Sequence, residues 1–326
     1  MPDGPLWIGE QEAADLLSLE DAIDVLAGAY RLQAGGAAAT MRRAHLREGD
    51  AILHAVGGTL AGQGIAGTKT WTYTPGGAEP LIVLFSLDDG RVLGLVEAFA
   101  LGQMRTAATS GLGTRVLARD DARTLALLGT GKQAFAQAQA MTCVRPLERI
   151  RLFGRDPERR AALAERLRAT LAVDVSEHAT VADAVAGADV ITAITRSAEP
   201  ILGGDLLEPG VHVNAVGAIV PARRELDAQA VGRADVIVVD SVDQARDDAG
   251  ELRAAAEAGV LDWATVRGLD AVVDDTPDRA RFPTDITLFK ALGVGLSDVA
   301  LGGEVLRRAL AAGAGQLLPT IPVAHQ

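Results

Sequence analysis

The chain has 326 residues, which suggests about two domains of roughly 150 residues each. Hydrophobic residues make up 48% and charged residues 23%, a globular composition, and with aromatics at 3% the core must rest on Ala, Leu and Val. A net charge of −12 with no run of Lys or Arg speaks against a nucleic-acid partner, and the single cysteine, Cys143, excludes an intrachain disulfide and a cysteine-rich zinc site.

Met1 to Glu10 lacks a basic segment followed by an apolar run, so no signal peptide is expected. No apolar stretch is long enough to span a bilayer, so no membrane role is expected and the default location is the cytoplasm. From Ser18 to Gln33, Leu19, Ala22, Ile23, Leu26, Ala27 and Tyr30 fall at helical spacing, with Ser18 as N-cap and Asp21 three residues later. Leu81–Leu87 and Val92–Val96 flank Asp88-Asp89-Gly90, a β-hairpin pattern. Phe99–Leu117 is Ala-rich, lacks proline and reads as a helix. Cys143, near the end of a later helical stretch, reads as core.

After Ala118 the rhythm changes. Apolar runs at Leu125–Leu128, Ile150–Phe153, Val173–Val175, Val190–Ile194, Val211–Val216 and Val236–Val239 alternate with helical stretches, notably Lys132–Thr142, Pro157–Thr170 and Thr180–Ala186. Unalternated runs suit strands buried on both faces, and strand–helix alternation implies a parallel sheet covered by helices. The fold class is therefore α/β, a Rossmann-type doubly wound sheet over residues 119–304 plus an α+β domain over residues 1–118. The last helix, Leu296–Ala312, is expected to pack back on the N-terminal domain, with 305–326 completing it.

Gly129-Thr130-Gly131-Lys132-Gln133-Ala134 follows the first of these strands and opens a helix. Gly129 permits the tight turn, Gly131 lets the backbone approach a pyrophosphate, and Ala134 allows close helix–strand packing. The second strand ends at Gly154, followed by Arg155 and Asp156. Arg155 suits the 2′-phosphate of NADP, whereas Asp156 at a shifted strand end would suit the ribose of NAD; NADP is favoured and NAD stays possible.

Seven segments together resemble the ornithine cyclodeaminase/mu-crystallin family: Arg43-Ala44-His45, Gly67-Thr68-Lys69, Leu101 to Ala108, Gly129 to Ala134, Asn214 to Ala218, Arg224 to Asp227 and Thr287 to Gly293. The resemblance covers nearly the whole chain. It implies a Rossmann domain inserted between an N-terminal region and a C-terminal helix, and a homodimer formed through the N-terminal domains. It extends the dinucleotide contacts beyond Gly129, Thr130, Gly131, Gln133, Ala134 and Arg155 to Thr106, Thr195, Val216, Gly217 and Gly293. It makes Arg43, Lys69 and Arg105 the cations for a substrate carboxylate, with Arg42 an alternative to Arg43. A fixed guanidinium can hold a carboxylate through two bonds and so orient the α-carbon. Asp227 matches the family's catalytic aspartate. The same residue also reads as a helix N-cap before Ala228–Val231, and the two roles can coexist.

Where some cyclodeaminases carry a glutamate for the distal amine of ornithine, the chain reads Ala51 to Val56, with His54 and no acid. His54 either faces the substrate or is an ordinary strand histidine, and a second ammonium there would be costly. Trp71 and Tyr73 share one strand face and suit either an apolar substrate wall or core packing. The expected function is NAD(P)-dependent hydride transfer at the α-carbon of an amino or cyclic imino acid, of ketimine-reductase or amino-acid-dehydrogenase type, with Asp227 and Lys69 as catalytic groups. The rivals are an ornithine cyclodeaminase-type lyase and a non-catalytic, NADP-dependent ligand-binding protein of mu-crystallin type. No metal is expected.

Overall fold

The computed structural model describes residues 4–274 and 282–320. In chain order the first elements are β1 (Leu6–Ile8), α1 (Glu10–Leu16), α2 (Leu19–Ala34), β2 (Ala38–Thr40), β3 (Ala44–Glu48), β4 (Ala51–Leu60), β5 (Ile65–Tyr73), β6 (Leu81–Ser86), β7 (Val92–Glu97) and α3 (Phe99–Leu117). There follow β8 (Thr124–Leu128), α4 (Ala134–Val144), β9 (Arg149–Phe153), α5 (Pro157–Thr170), β10 (Asp174–His178), α6 (Val181–Val185), β11 (Val190–Ala193) and β12 (His212–Ala215). The chain continues through α7 (Ala228–Gly232), β13 (Val236–Val239), α8 (Val242–Asp248), α9 (Gly250–Glu257), β14 (Arg267–Gly268), β15 (Thr287–Lys290), α10 (Gly295–Ala312) and β16 (Gln316–Leu317). Two compact units result, one of residues 1–105 with 294–326 and one of residues 106–293. The divisions fall inside α3 and just ahead of α10, whereas the change of sequence rhythm marks where the first parallel strand begins.

In the first unit a mixed sheet runs in the order β16-β1-β7-β6-β5-β4-β2, with β3 paired to β4. The alternation along β6 sends Ile82 and Leu84 inward and leaves Leu81, Val83 and Phe85 half-buried on the other face. The inward face is covered by α10, which packs on β4, β5, β6 and α2. Fully buried side chains there include Ile23, Leu26, Tyr30, Leu60, Ile82, Leu84 and Leu301. Each buried Leu or Ile contributes about 1.5–3 kcal/mol. Ser18 caps α2 in a capping box with Asp21, as its spacing implies, and Arg308 of α10 holds Asp21 at 2.9 Å. The entry of α10 is unusually close to the sheet. A Cβ on Gly295 would overlap the backbone of Gly57, and one on Gly58 would press on the backbone of Leu296. Glycine at these positions lets the first turn of α10 lie directly against β4.

In the second unit eight strands run parallel in the order β10-β9-β8-β11-β12-β15-β13-β14, among the described residues. β8, β11, β12 and β15 are buried along their whole length, which is why they read as continuous apolar runs. The winding reverses between β8 and β11, and ligands of such sheets bind at the carboxyl ends of the strands beside that switch. Arg145 secures the end of α3 by donating to the carbonyls of Thr114, Arg115, Ala118 and Arg119. Cys143 is exposed, contrary to its expected place in the core, because the last turn of α4 turns that position outward.

Candidate functional site

The dinucleotide turn lies where the strand order reverses. Gly129 leaves β8 with φ +126°, and a Cβ there would lie 2.6 Å from the Ile194 carbonyl oxygen. A side chain is therefore excluded on two counts. Gly131 is the opposite case: a Cβ would meet nothing within 4 Å, so the space over it is open. Ala134 is buried as the first residue of α4 and its amide donates to the Gly131 carbonyl at 3.1 Å, while the next amides of that turn precede the helix's own hydrogen bonding. This open surface beside helical N–H groups fits a pyrophosphate. Thr130 packs against Gly154, where a Cβ would overlap its side chain. Arg155 follows, exposed. Asp156 caps α5, its Oδ1 accepting from the amides of Glu158 and Arg159 at 3.0 and 3.2 Å.

Thr195, Val216 with Gly217, and Gly293 follow the carboxyl ends of β11, β12 and β15, the edge that carries the glycine turn. Three buried acids hold these loops, and sequence reasoning assigned none of them a role. Glu225 accepts from the amide and hydroxyl of Thr195 at 2.5 and 2.7 Å through Oε1, and from the amides of Gly217 and Ala218 at 2.6 and 3.2 Å through Oε2. Burial raises its pKa, and Lys290 and these donors oppose that. Asp240 accepts from the amides of Leu292 and Gly293 at 2.8 and 2.6 Å. Lys290, fully buried, pairs with Glu251 at 2.9 Å and donates to the Ala218 carbonyl. Thr106 sits half-buried in α3.

Asp227 stands at the start of α7 as its N-cap. Its Oδ1 accepts from the amides of Ala230 and Gly204 at 2.6 and 3.1 Å. Oδ2 enters none of the hydrogen bonds found among the described residues. The capping role is present, and it leaves one carboxylate oxygen uncommitted.

The first unit holds the cations. Lys69 is 5% exposed on the helix-facing side of β5, and Arg105 lies in α3 with its side chain 15% exposed. Both reach one acid, Asp298 in the first turn of α10. Asp298 Oδ1 accepts from Lys69 Nζ at 2.6 Å and from Arg105 Nε at 3.2 Å. Oδ2 is buried and has no hydrogen-bond partner among the described residues. Burial would raise the pKa of Asp298, but Arg105 and Lys69 outweigh it and hold it below the usual range. The first turn of a helix also favours negative charge. Burial lowers the Lys69 pKa to about 8, with the charges of Arg105 and Arg43 adding to the drop and Asp298 opposing it. At neutral pH the pair is ionised. Arg43 is the arginine whose charge reaches Lys69 and His54, while Arg42 is exposed. His54 is half-buried and stacks on Trp71. Asp298 escaped sequence reasoning because it lies 229 residues from Lys69.

A family model described as the ornithine cyclodeaminase/mu-crystallin family matches residues 10–312. The chain belongs to that family. Among curated proteins it is similar to a Δ1-pyrroline-2-carboxylate reductase of Bacillus cereus, at 31% identity over 72% of each chain. Among solved structures it is similar to the iminosuccinate reductase of Paracoccus denitrificans in complex with NAD+, at 30% identity and a TM-score of 0.91, covering 97% of this chain and 99% of that one. It is likewise similar to an archaeal alanine dehydrogenase dimer with bound NAD, at 26% identity and a TM-score of 0.90, covering 97% and 99%. Family membership accounts for the order of motifs along the chain: the cations in the first unit, the glycine turn in the second, and the closing helix that returns Asp298 to Lys69.

Proposed function

We propose that this family member catalyses nicotinamide-dependent hydride transfer at the α-carbon of an amino or imino acid. The observation that carries the reading is the pair Lys69 and Arg105, two nearly buried cations sharing one carboxylate, with Arg43 in electrostatic reach. A guanidinium and an ammonium converging on one carboxylate form the kind of pair that draws an arriving carboxylate. Arg43, Lys69 and Arg105 hold the substrate's α-carboxylate and so fix the α-carbon. His54 lines the substrate on the same sheet. Asp227, through Oδ2, gives or takes the proton on the α-nitrogen, and Lys69, with a pKa near 8, is matched to assist that transfer at neutral pH. When bound, the nicotinamide supplies a hydride to the imine carbon or accepts one from the amine.

Gly129, Thr130, Gly131, Gln133 and Ala134 receive the pyrophosphate, while Thr106, Thr195, Val216, Gly217 and Gly293 complete the dinucleotide site. NAD and NADP both suit this cradle. The preference is for NADP, because the Asp156 carboxylate is committed to the N-terminus of α5 while Arg155 is exposed at the strand end. The relatives' NAD complexes make NAD the competing cofactor. The protein works as a homodimer through the sheet face left uncovered in the first unit. Leu81, Val83, Phe85 and Leu95 are half-buried there, beside an apolar hollow of about 360 Å³ lined by Thr59, Ala66, Thr68 and Phe85. The first unit thus serves substrate binding and dimerisation, and the second the dinucleotide.

The test is a panel of amino acids with NAD or NADP and of imines with NADPH or NADH, read by nicotinamide absorbance. Turnover of an α-imino acid is expected. Conversion of ornithine to proline and ammonia in preference to all imines would replace the reading with the lyase. Dinucleotide binding without any turnover would reduce it to a binding protein.

A further inference from the structure

The segment that carries Asp227 is tied to the chain ahead of it before α7 begins. Ile201 and Leu202 donate their amides to the Glu225 carbonyl at 2.8 and 3.0 Å, and the Asp227 amide donates to the Leu202 carbonyl at 3.2 Å. Leu202 and Leu226 form a parallel bridge, and both are buried. The chain then makes a single 3-10 turn, Gly204–Leu206, whose first residue lies against the first turn of α7. Gly204 is buried there. A Cβ on it would stand 2.5 Å from Gln229 Cγ and 2.7 Å from the Ala230 amide nitrogen. Only glycine permits so close an approach.

Gly204 is fixed at both ends. Its N–H donates to Asp227 Oδ1 at 3.1 Å, and the Ala230 N–H donates to the same oxygen at 2.6 Å. Two donors from different segments hold Oδ1, so the carboxylate cannot turn without losing one of them. The Gly204 carbonyl accepts from Nη1 of Arg233, the half-buried residue that closes α7. A guanidinium on a carbonyl is a charge-assisted bond, stronger than a neutral one. Asp227 Oδ2 stays outside these bonds and lies beside Gly203: a Cβ built on Gly203 would stand 3.3 Å from it.

We propose that Arg233 is a positioning residue of the reaction: by clamping Gly204 over the start of α7 it fixes Asp227 through Oδ1 and leaves Oδ2 as the oxygen that exchanges a proton with the substrate's α-nitrogen. This rests on the reading of Asp227 as the proton carrier. In the reductive direction the Oδ2–H bond breaks as an N–H bond forms on the imine nitrogen and the imine carbon gains hydride; Oδ2 then takes its next proton from water. The bare α-carbon of Gly203 belongs to the same arrangement. Its φ of −87° is one that alanine adopts freely. The other atom near a Cβ there, Asp205 Oδ1 at 2.5 Å, ends an exposed side chain that can swing away. A methyl group at Gly203 is therefore tolerated by the fold and crowds the working oxygen.

The experiment measures kcat and KM with NADPH and either the imine formed by ammonia with pyruvate or Δ1-pyrroline-2-carboxylate, whichever the wild type reduces faster, together with NADPH affinity by fluorescence titration. Four variants are compared with the wild type: D227N, R233M, R233K and G203A. An asparagine keeps the cap, because its side-chain oxygen can still accept from Gly204 and Ala230, so D227N should bind NADPH normally and lose about a hundredfold or more in kcat. Misplacement of a reacting group by about 1 Å costs about a hundredfold. R233M should therefore lose about tenfold or more in kcat with NADPH affinity unchanged, and R233K, which can still donate to the Gly204 carbonyl, should recover most of that loss. G203A should lose kcat in the same way. Wild-type kcat in R233M or in G203A, no recovery in R233K, or a fall in NADPH affinity that accounts for the lost rate would overturn the clamp while leaving Asp227 as the proton carrier. A D227N enzyme as fast as the wild type, or a wild type that reduces neither imine, would instead remove the reading of Asp227 on which the proposal rests.

Discussion

Replacing Asp298 with Asn removes the counter-charge of Lys69 while keeping nearly the same shape. In the wild type, burial holds the Lys69 pKa at about 8 even though Asp298 pulls it upward through charge and a 2.6 Å hydrogen bond. An opposite charge within about 4–6 Å shifts a pKa by roughly one to three pH units, equivalent to about 1.4–4 kcal/mol. Lys69 in D298N should therefore lose its proton roughly one to three pH units lower. The direction follows from the protonation states. A lysine with a lowered pKa is charged below that value and neutral above it, and only the charged form attracts the substrate carboxylate. The alkaline limb of kcat/KM reports groups of the free enzyme. It should fall above about pH 8 in the wild type. In D298N it should begin roughly one to three pH units earlier, so that activity at pH 7.5 drops by about threefold to a few hundredfold and partly recovers on acidification. The assay is initial-rate imine reduction from pH 5 to 9. A D298N profile whose alkaline limb stayed where the wild type's is would refute the assignment of that limb to Lys69.

Three further outcomes are expected. G131V should fold normally, since the space over Gly131 is open, yet lose at least tenfold in dinucleotide affinity by fluorescence titration. R155A should raise KM for NADPH by about ten- to a hundredfold, the loss of one charge-assisted bond of about 1.5–3 kcal/mol, and change KM for NADH far less. K290M leaves Glu251 buried and uncompensated; the loss should be about 3–5 kcal/mol in chemical unfolding, and K290M/E251L should recover much of it.

The parallel sheet was legible because β8, β11, β12 and β15 are buried on both faces and so appear as unbroken apolar runs. The Ser18 cap and the Asp88–Gly90 turn were legible because their signals are local. The spatial order was not. β15 lies between β12 and β13 although it follows both in the chain, and no local pattern encodes that. β3 escaped notice because every residue in it is exposed, which erases the alternation that marks a half-buried strand. Lys69 and Arg105 were identified as cations, but Asp298 was not, since only the fold brings α10 back to β5. Glu225 was missed for a related reason: its partners are the Thr195 hydroxyl and backbone amides of two loops, and amides carry no sequence signature. Asp227 could be read both as a cap and as a catalytic acid, and the geometry leaves room for both.

The most direct test of the account follows the transferred hydrogen. NADPH labelled with deuterium at both C4 positions is incubated with the imine the enzyme uses best, and the product is analysed by mass spectrometry and proton NMR. One deuterium at the α-carbon of the resulting amino acid is the predicted result, together with loss of turnover when both Lys69 and Arg105 are replaced by Met. Product free of deuterium, or undiminished turnover in the double variant, would contradict it.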